Sequence, residues 1–401
     1  MKSYTFWVFF IMISLSRATY CWLATNHGII ASVAKEHMSE TAKKRVETLL
    51  NRPLNFPEVD PASYEKVGIT PQNLATLLSP IEMASMWADV INHYTWRDPL
   101  LHDALSSMHY LPITFDLATP DAWRDNDQIR RHILRAIQNN PNNIVDGICS
   151  MIKTFTHPAA SEDVQAIALR FLIHFMEDIC QPLHAFNPIY REQTAPRRTV
   201  QTFGGNRIYF VKDDTPYGLF VTGPDPDKDV KREYLSDMHV YFDAQLGVCP
   251  QLPFPENSIY ERQGLDLWGK NQSEYLQYLS DKARSLQVDY DFTIPQPIEW
   301  ILQTYIAGHE IFVLQKSLRY ELALKEGHIT ATFQKGQRAF QQRNTPILQQ
   351  LSFKAGIRLA KLLTALTDPP NADSRYLFLI QQQKNNPTIP LLLMQPQLRG
   401  S

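Results

Sequence analysis

The sequence is poor in cysteine, nearly balanced in charge and without a long uninterrupted apolar run. Four cysteines among 401 residues are too few for a disulfide-framed scaffold, and the absence of a Cys-x-x-Cys pair argues against a structural zinc finger. A net charge of -2 excludes a bulk electrostatic attraction to nucleic acid or to a membrane, so any such partner must be read from a local site. With 44% hydrophobic and 20% charged residues, the chain is expected to fold around a large core.

The first 21 residues are predicted to be a cleaved secretory signal. An apolar run from Tyr4 to Leu15 is too short to span a bilayer, and Thr19 and Cys21 stand where signal peptidase requires small residues. The alternative is an uncleaved anchor. Cleavage predicts a secreted or periplasmic protein, and no later segment predicts stable membrane association. Three cysteines remain, of which at most two can pair with each other: Cys149, Cys180 and Cys249.

Apolar residues recur at helical spacing through most of the chain, which predicts an all-α fold with a single multi-helix domain. The predicted helices span 29–50, 127–139, 143–155, 162–178, 267–286, 297–324 and 347–366. Residues 204–223 are the exception. Two β-rich runs, 207–211 and 218–221, flank an Asp-Asp-Thr-Pro turn and predict a short β-hairpin.

One apolar helix carries the strongest sign of chemistry. His174 and Asp178 are four residues apart, so on a helix they share one face, and His184 follows shortly after it. The same His-x-x-x-Asp spacing recurs at His239 and Asp243. A charged Asp178 among apolar neighbours is costly to bury alone, and either a metal ion or a hydrogen bond from His174 removes that cost. The spacing leaves both alternatives open.

Further candidate ligands come from the N-terminal third of the chain. If cleavage follows Cys21, the mature protein begins at Trp22, and its free amine lies within about one helical turn of His27. Asp89 and His109 supply another carboxylate and another imidazole. Imidazole and carboxylate are ligands that suit zinc.

Together these motifs resemble the zinc-dependent single-strand-specific nucleases, the type I nucleases of the nuclease S-one and nuclease P-one family. The family pattern is an N-terminal Trp, a nearby His, a WAD segment, a LHY segment, a His-x3-Asp-x5-His run ending in QPLH, a GGN segment and a second His-x3-Asp. The chain shows these elements in that order from Trp22 to Asp243, with Met108 before His109 and Tyr110. No single motif is specific, but the ordered set is.

The resemblance implies a phospholipase C/nuclease P-one-like fold and a division of the chain into three parts. These are a signal peptide at 1–21, a zinc-dependent nuclease domain at 22–367 and a Pro/Gln-rich C-terminal tail at 368–401. The stretch between the third histidine of the run and the second His-x3-Asp is longer than is usual in the family. An insertion is therefore expected at about 187–234.

The resemblance also implies a cluster of three zinc ions. The expected ligands are Asp89, His109, His174 and Asp178 for the first ion; Asp178, His27 and the amine and carbonyl of Trp22 for the second; and His184, His239 and Asp243 for the third. Asp89 and Asp178 would be the catalytic carboxylates, and Tyr110 would stack a base. The implied reaction is in-line attack of an activated hydroxide on phosphodiester bonds of single-stranded RNA and DNA. It yields 5'-phosphorylated products, and 3'-nucleotides would be substrates of a 3'-nucleotidase activity.

The chain departs from the family pattern beside these ligands. Glu177 stands where Gly is usual, Asn92 where Arg is common, and Ala244 where a small hydroxyl residue is common. These changes leave the ligand positions filled and bear on phosphate anchoring. Two other functions remain open: a zinc-dependent phospholipase C, which usually ends its ligand set with Glu and lacks the GGN segment, and a secreted binding protein or effector on a nuclease scaffold.

Overall fold

The structure is a computed structural model of the chain. It describes residues 24–52, 79–89, 99–117, 126–191, 199–210, 220–221, 234–235, 238–244, 273, 276–281, 283–286, 296–316, 318–323 and 328–385. The predicted signal peptide, Trp22, Asn92 and Cys249 lie outside these residues. The described part is mainly helical with a few short strands, which confirms the predicted fold class.

The helices of the described chain are α1 (Ala24–His37), α2 (Glu40–Leu50), α3 (Ile81–Ala84), α4 (Pro99–Ser107), α5 (Asn126–Asn139), α6 (Ile144–Thr156), α7 (Glu162–Asp178), α8 (Pro182–Ala185), α9 (Met238–Ala244), α10 (Pro297–His309), α11 (Gln337–Thr367) and α12 (Ser374–Lys384). A π turn at Glu310–Leu314 follows α10, and a 3-10 turn at Pro369–Asn371 follows α11. Residues 87–89, 276–281 and 283–285 are also helical.

Three of the predicted helices agree closely with the structure. The prediction at 162–178 matches α7, and those at 127–139 and 143–155 match α5 and α6 to within one residue. The prediction at 29–50 is two helices, because the Ser39 side chain accepts a hydrogen bond from the Ala42 amide at 3.1 Å and begins α2. Sequence periodicity alone did not detect this cap inside an apolar run.

Two helix predictions have the wrong ends. The segment 297–324 was expected to be one helix, but α10 ends at His309 and Leu318–Ala323 is a strand. The segment 347–366 lies inside α11, which begins ten residues earlier and contains Pro346. A proline inside a helix is uncommon because it removes a backbone hydrogen bond, which is why the pattern favoured a later start.

The strands form three small sheets. Their bounds are β1 (Ile113–Asp116), β2 (Phe186–Arg191), β3 (Thr199–Gln201), β4 (Ile208–Phe210), β5 (Phe220–Val221), β6 (Tyr234–Leu235), β7 (Leu318–Ala323) and β8 (His328–Phe333). β2 pairs with β1 in parallel and with β3 antiparallel, while β8 pairs with β4 in parallel and with β7 antiparallel. β5 and β6 form an antiparallel pair.

The predicted hairpin at 204–223 is wrong in its pairing. Both runs contain strands, but β4 lies beside β8, with Ile208 opposite Ile329, and β5 lies beside β6. Ile208 and Ile329 are both fully buried, so their pairing places two β-branched side chains in the core. The alternation of residues identifies a strand, whereas its partner about 120 residues away is chosen by packing.

Helix α7 lies at the centre of the described fold. It packs against α1, α2, α6 and α11, and every residue from Ala166 to Asp178 is buried. A helix that is buried on all sides needs partners for its polar side chains. Arg170 finds them in backbone carbonyls: its Nη2 lies 2.6 Å from the oxygen of Leu50 at the end of α2. The other buried polar residues of α7 lie near its C-terminal end: His174, Glu177 and Asp178.

The C-terminal helix α12 contributes to the core. Tyr376, Leu379 and Ile380 are buried, and α12 packs against α6 and α11. The Asp373 side chain begins the helix by accepting a hydrogen bond from the Arg375 amide at 3.0 Å. Part of the segment that the sequence assigns to a Pro/Gln-rich tail is therefore packed structure.

The two cysteines that the structure describes, Cys149 and Cys180, are free thiols. Burial raises the pKa of Cys149 to about 12 and that of Cys180 to about 11. Both thiols are therefore neutral at physiological pH and weak nucleophiles. Across the described ranges, no helix is both long and apolar enough to cross a membrane.

Candidate metal centre

The structure brings eight of the nine sequence-predicted metal ligands into one buried cluster. α1 supplies His27, residues 87–89 supply Asp89, and His109 follows α4. The other five come from the last turn of α7, from α8 and from α9: His174, Asp178, His184, His239 and Asp243. The ninth, Trp22, lies outside the described residues, two positions before α1 begins.

Asp178 is at the centre of this cluster. Its Oδ2 atom lies 2.9 Å from His109 Nδ1 and 3.0 Å from His174 Nε2. Its Oδ1 atom lies 3.6 Å from His27 Nε2 and 3.7 Å from His184 Nδ1. The two oxygens of one carboxylate thus face two different pairs of imidazoles. This arrangement would allow Asp178 to bind two metal ions at once.

Asp89 lies near three of the same imidazoles. Its carboxylate oxygens lie 3.4 Å from His174 Nε2, 3.6 Å from His27 Nε2 and 3.8 Å from His109 Nδ1. Two sets of three side chains bring possible ligand atoms within 4.8 Å of one another: His27 with Asp89 and His174, and His109 with His174 and Asp178. Both sets have the ligand chemistry of zinc sites.

His184, His239 and Asp243 form a looser neighbouring group. The rings of His184 and His239 stack with their centroids 5.3 Å apart, and His239 Nε2 lies 3.5 Å from Asp243 Oδ2. Within the described part of the chain, these three do not form a set as compact as the two around Asp178. His184 joins them to the rest of the cluster through its contact with Asp178.

Three of the histidines are oriented by hydrogen bonds at Nδ1. His174 Nδ1 lies 2.6 Å from the carbonyl oxygen of Ser85, and His239 Nδ1 lies 2.7 Å from that of Gly204. His27 Nδ1 lies 2.5 Å from Glu177 Oε2. An imidazole that donates its Nδ1–H to such an acceptor keeps the lone pair of Nε2 for a metal ion.

The Gly-Gly-Asn segment supports His239 through its backbone. Gly204 has a φ of 65°, in the left-handed region, and a Cβ atom there would lie 2.9 Å from the carbonyl oxygen of Leu183. A residue with a side chain would therefore be strained and crowded at this position. The glycine allows the carbonyl that accepts from His239 to approach the cluster.

Asp243 is also held by neighbouring side chains. Gln181 Nε2 donates to Asp243 Oδ1 at 2.8 Å, and Asn26 Nδ2 donates to the Asp243 carbonyl oxygen at 2.7 Å. Gln181 is the Gln of the QPLH run, and Asn26 precedes His27. The same short segments that carry ligands therefore also fix the position of Asp243.

Burial keeps two of the imidazoles neutral. It lowers the pKa of His27 and of His184 to about 3. Burial by itself would raise the pKa of Asp89, but the charge of His174 and its hydrogen bond lower that pKa to about 2. Burial by itself would also raise the pKa of Asp178, but the nearby histidines lower it well below its ordinary value. Neutral imidazoles beside ionised carboxylates are the protonation states that bind a metal ion.

The pKa values of two further groups in this cluster are raised. Burial would lower the pKa of His174, but the charges of Asp178 and Asp89 raise it well above its ordinary value. Burial raises the pKa of Glu177, against the opposing charge of His174. A metal ion must displace the proton of His174, and binding should therefore weaken as pH falls.

The cluster contains buried polar atoms that fit a metal ion. His27 Nε2, Asp178 Oδ1 and His184 Nδ1 have no hydrogen-bond partner among the described residues. Buried polar atoms normally have partners, and their clustering points to a bound group. All three are donor atoms that zinc accepts.

The predicted substrate residue Tyr110 follows His109 directly and is half-buried. A second aromatic residue, Phe203, precedes Gly204 and was not predicted from the sequence. Its side chain is 55% exposed, its φ is 50°, and the Arg207 guanidinium lies 4.8 Å from its ring centroid. The GGN motif was the signal that could have directed attention to this flanking residue.

The fold and the cluster define a class: a mainly helical protein with a buried group of imidazoles and carboxylates able to hold more than one metal ion. A sequence model of the S1/P1 nuclease family matches residues 22–221. The chain belongs to this family. The match includes Trp22 and every candidate ligand up to His184, and it ends before His239 and Asp243. No curated protein matches the chain at a significant level.

Family membership makes the protein a hydrolase that acts on phosphodiester bonds, with nucleic acid as its substrate class. Nucleases of this family are in general zinc-dependent and secreted. Zinc dependence agrees with the chemistry of the cluster, because its donor atoms are nitrogen and oxygen atoms of the kinds that zinc prefers.

Proposed function

We propose that the protein is a secreted or periplasmic zinc-dependent endonuclease that cleaves single-stranded RNA and DNA into 5'-phosphorylated products and also acts as a 3'-nucleotidase. The observation that carries this proposal is the position of Asp178. Its two oxygens face separate pairs of imidazoles at 2.9 to 3.7 Å, the arrangement expected of a ligand shared by two ions.

The proposed centre holds three zinc ions, with the ligands that the sequence predicts. The first ion is assigned to Asp89, His109, His174 and Asp178, the second to Asp178, His27 and the N-terminus of Trp22, and the third to His184, His239 and Asp243. Bound zinc would supply Lewis-acid polarisation of the phosphate and a lowered pKa for the attacking water. The side chains would hold the ions in place, with Asp89 and Asp178 as the catalytic carboxylates.

The phospholipase C alternative is less well supported by the geometry. Its ligand set usually ends with Glu, whereas this chain has Asp243, held by Gln181 and beside His239. The GGN segment that phospholipases C lack is present, and its Gly204 carbonyl accepts from His239. The binding-protein alternative is also less well supported, because the described candidate ligands lie together rather than being scattered or replaced.

An activity panel tests the proposed function. The purified protein should hydrolyse single-stranded RNA and DNA and release phosphate from 3'-AMP, and a chelator should stop all three reactions. Metal analysis should find about three zinc ions per chain, because nine ligand positions are filled. Hydrolysis of phosphatidylcholine in place of nucleic acid would support the phospholipase instead. A protein with one zinc ion or none would contradict the proposed centre.

Substitution of Tyr110 tests the predicted base contact. Stacking on an aromatic ring contributes about 1–3 kcal/mol per base, so Tyr110→Ala should weaken single-strand binding by about 5-fold to 150-fold. The matched control is Tyr110→Phe, which keeps the ring and should bind as the wild type does. Zinc content should be the same in all three proteins. Equal binding by the Ala and Phe variants would show that Tyr110 does not stack a base.

A further inference from the structure

Glu177 is a buried carboxylate in the cluster that belongs to none of the assigned ligand sets. On α7, Glu177 is three residues after His174 and directly before Asp178. Residues three and four positions after His174 lie on the same side of the helix as His174. The Glu177 side chain is fully buried. The resemblance to the nuclease family assigns it no role, because Gly is usual at this position.

Glu177 contacts His27 on α1, 150 residues earlier in the chain. The Glu177 Oε2 atom lies 2.5 Å from His27 Nδ1. On the opposite edge of the same ring, His27 Nε2 lies 3.6 Å from both Asp89 Oδ2 and Asp178 Oδ1. The hydrogen bond to Glu177 therefore points Nε2 between the two carboxylates.

His174 limits the remaining motion of the His27 ring. The two rings stack with centroids 4.3 Å apart and an interplanar angle of 22°. Stacking fixes the plane of the imidazole but still permits a flip of the ring by half a turn about its Cβ–Cγ bond, which keeps the same plane. The hydrogen bond to Glu177 determines which nitrogen faces the cluster.

We propose that Glu177 is a positioning residue that makes His27 a stronger metal ligand in this protein. By accepting the Nδ1–H, its Oε2 atom would keep the Nε2 lone pair aimed between Asp89 and Asp178. His174 and His239 donate instead to the backbone carbonyls of Ser85 and Gly204. Among these three histidines, only His27 has a side chain as its Nδ1 partner, so a substitution can remove that partner.

This inference rests on the proposed function, since it requires zinc at His27. Removal of an outer hydrogen-bond partner of a metal ligand commonly weakens metal binding by about 10-fold to 100-fold. Glu177→Gly, which introduces the usual family residue, should weaken the binding of one zinc ion by that factor. Glu177→Gln keeps a hydrogen-bond acceptor at this position and should show a smaller loss of zinc affinity. Zinc affinities would be measured on the purified protein by competition with a metal-binding dye.

A double-mutant cycle separates positioning from a general structural role. If Glu177 acts through His27, adding Glu177→Gly to His27→Ala should cause no further loss of zinc affinity. If Glu177 had a structural role elsewhere, Glu177→Gly would lower zinc affinity by the same factor in the wild-type protein and in His27→Ala. The matched control is Glu82→Gln, because Glu82 is also a buried glutamate but pairs with Lys35 at 3.1 Å, away from the cluster. This variant should keep wild-type zinc affinity.

The outcomes distinguish this inference from the proposed function. A wild-type protein that binds no zinc would overturn both. Two results would overturn the role of Glu177 alone, provided that the wild-type protein binds zinc. One is unchanged zinc affinity in both Glu177→Gly and Glu177→Gln, and the other is fully additive losses in the double-mutant cycle. Circular dichroism of each metal-free variant checks the fold, and the isosteric Gln variant tests the role even if the Gly variant unfolds.

Discussion

Asp178→Asn should abolish nuclease activity and lower the zinc content by more than one ion per chain. The carboxylate oxygens of Asp178 face two separate pairs of imidazoles. An asparagine keeps one oxygen and replaces the other with an amide nitrogen, which has no lone pair available for a metal ion. Because one side chain is shared by two assigned sites, its replacement should affect both. Metal analysis and single-strand cleavage assays would measure the two losses.

Two control variants test whether the loss is specific to Asp178. His239→Ala should remove only one ion, because His239 is assigned to the third site and is oriented by Gly204. Asp163→Asn changes the same helix at its exposed end, where Asp163 pairs with Arg52, and should keep full zinc and activity. If Asp178→Asn lost one ion or fewer, Asp178 would not bridge two ions.

One extra residue in front of Trp22 should remove the second zinc ion and nearly all activity. The α-amine of Trp22 is proposed as a ligand of that ion, and in an extended or uncleaved chain this nitrogen is an amide without a free lone pair. His27, its proposed partner, lies on α1, which begins at Ala24, two residues after Trp22. Every side chain stays intact in the extended protein, so a loss of zinc would come from the amine alone.

The proposed role of the N-terminus has a consequence for the cell that makes the protein. Precursor that has not been cleaved would be inactive, and this would protect the RNA of that cell. A free α-amine has a pKa of about 7.7 to 8.0, so zinc must displace its proton at lower pH and should bind less tightly there. An extended protein with full zinc and full activity would show that the amine is not a ligand.

The two His-x-x-x-Asp pairs could be recognised from the sequence because their spacing is local, whereas the proposed ligand sets came from the resemblance to the nuclease family. On any helix the four-residue separation of His174 and Asp178 places both on one face, and α7 has the predicted bounds. The same argument joins His239 to Asp243 on α9. The order of short motifs along the chain was sufficient to indicate the nuclease family.

The contacts that orient these ligands could not be predicted, because they join distant parts of the chain. Glu177 meets His27 across 150 residues, and the Ser85 carbonyl meets His174 across 89. Such contacts depend on how α1, α3 and α7 pack, which no local spacing encodes. The sequence alone showed Glu177 only as a departure from the family pattern.

Local sequence thus determined the mainly helical fold class and the residue types of the metal centre, since periodicity and side-chain chemistry are properties of short segments. The tertiary structure decided which strands pair, where α10 gives way to a strand, and which nitrogen of His27 faces Asp89 and Asp178. The physical reason is that burial selects among partners far apart in sequence: a strand pairs where its apolar side chains enter the core, and a buried polar atom lies where another can bond to it.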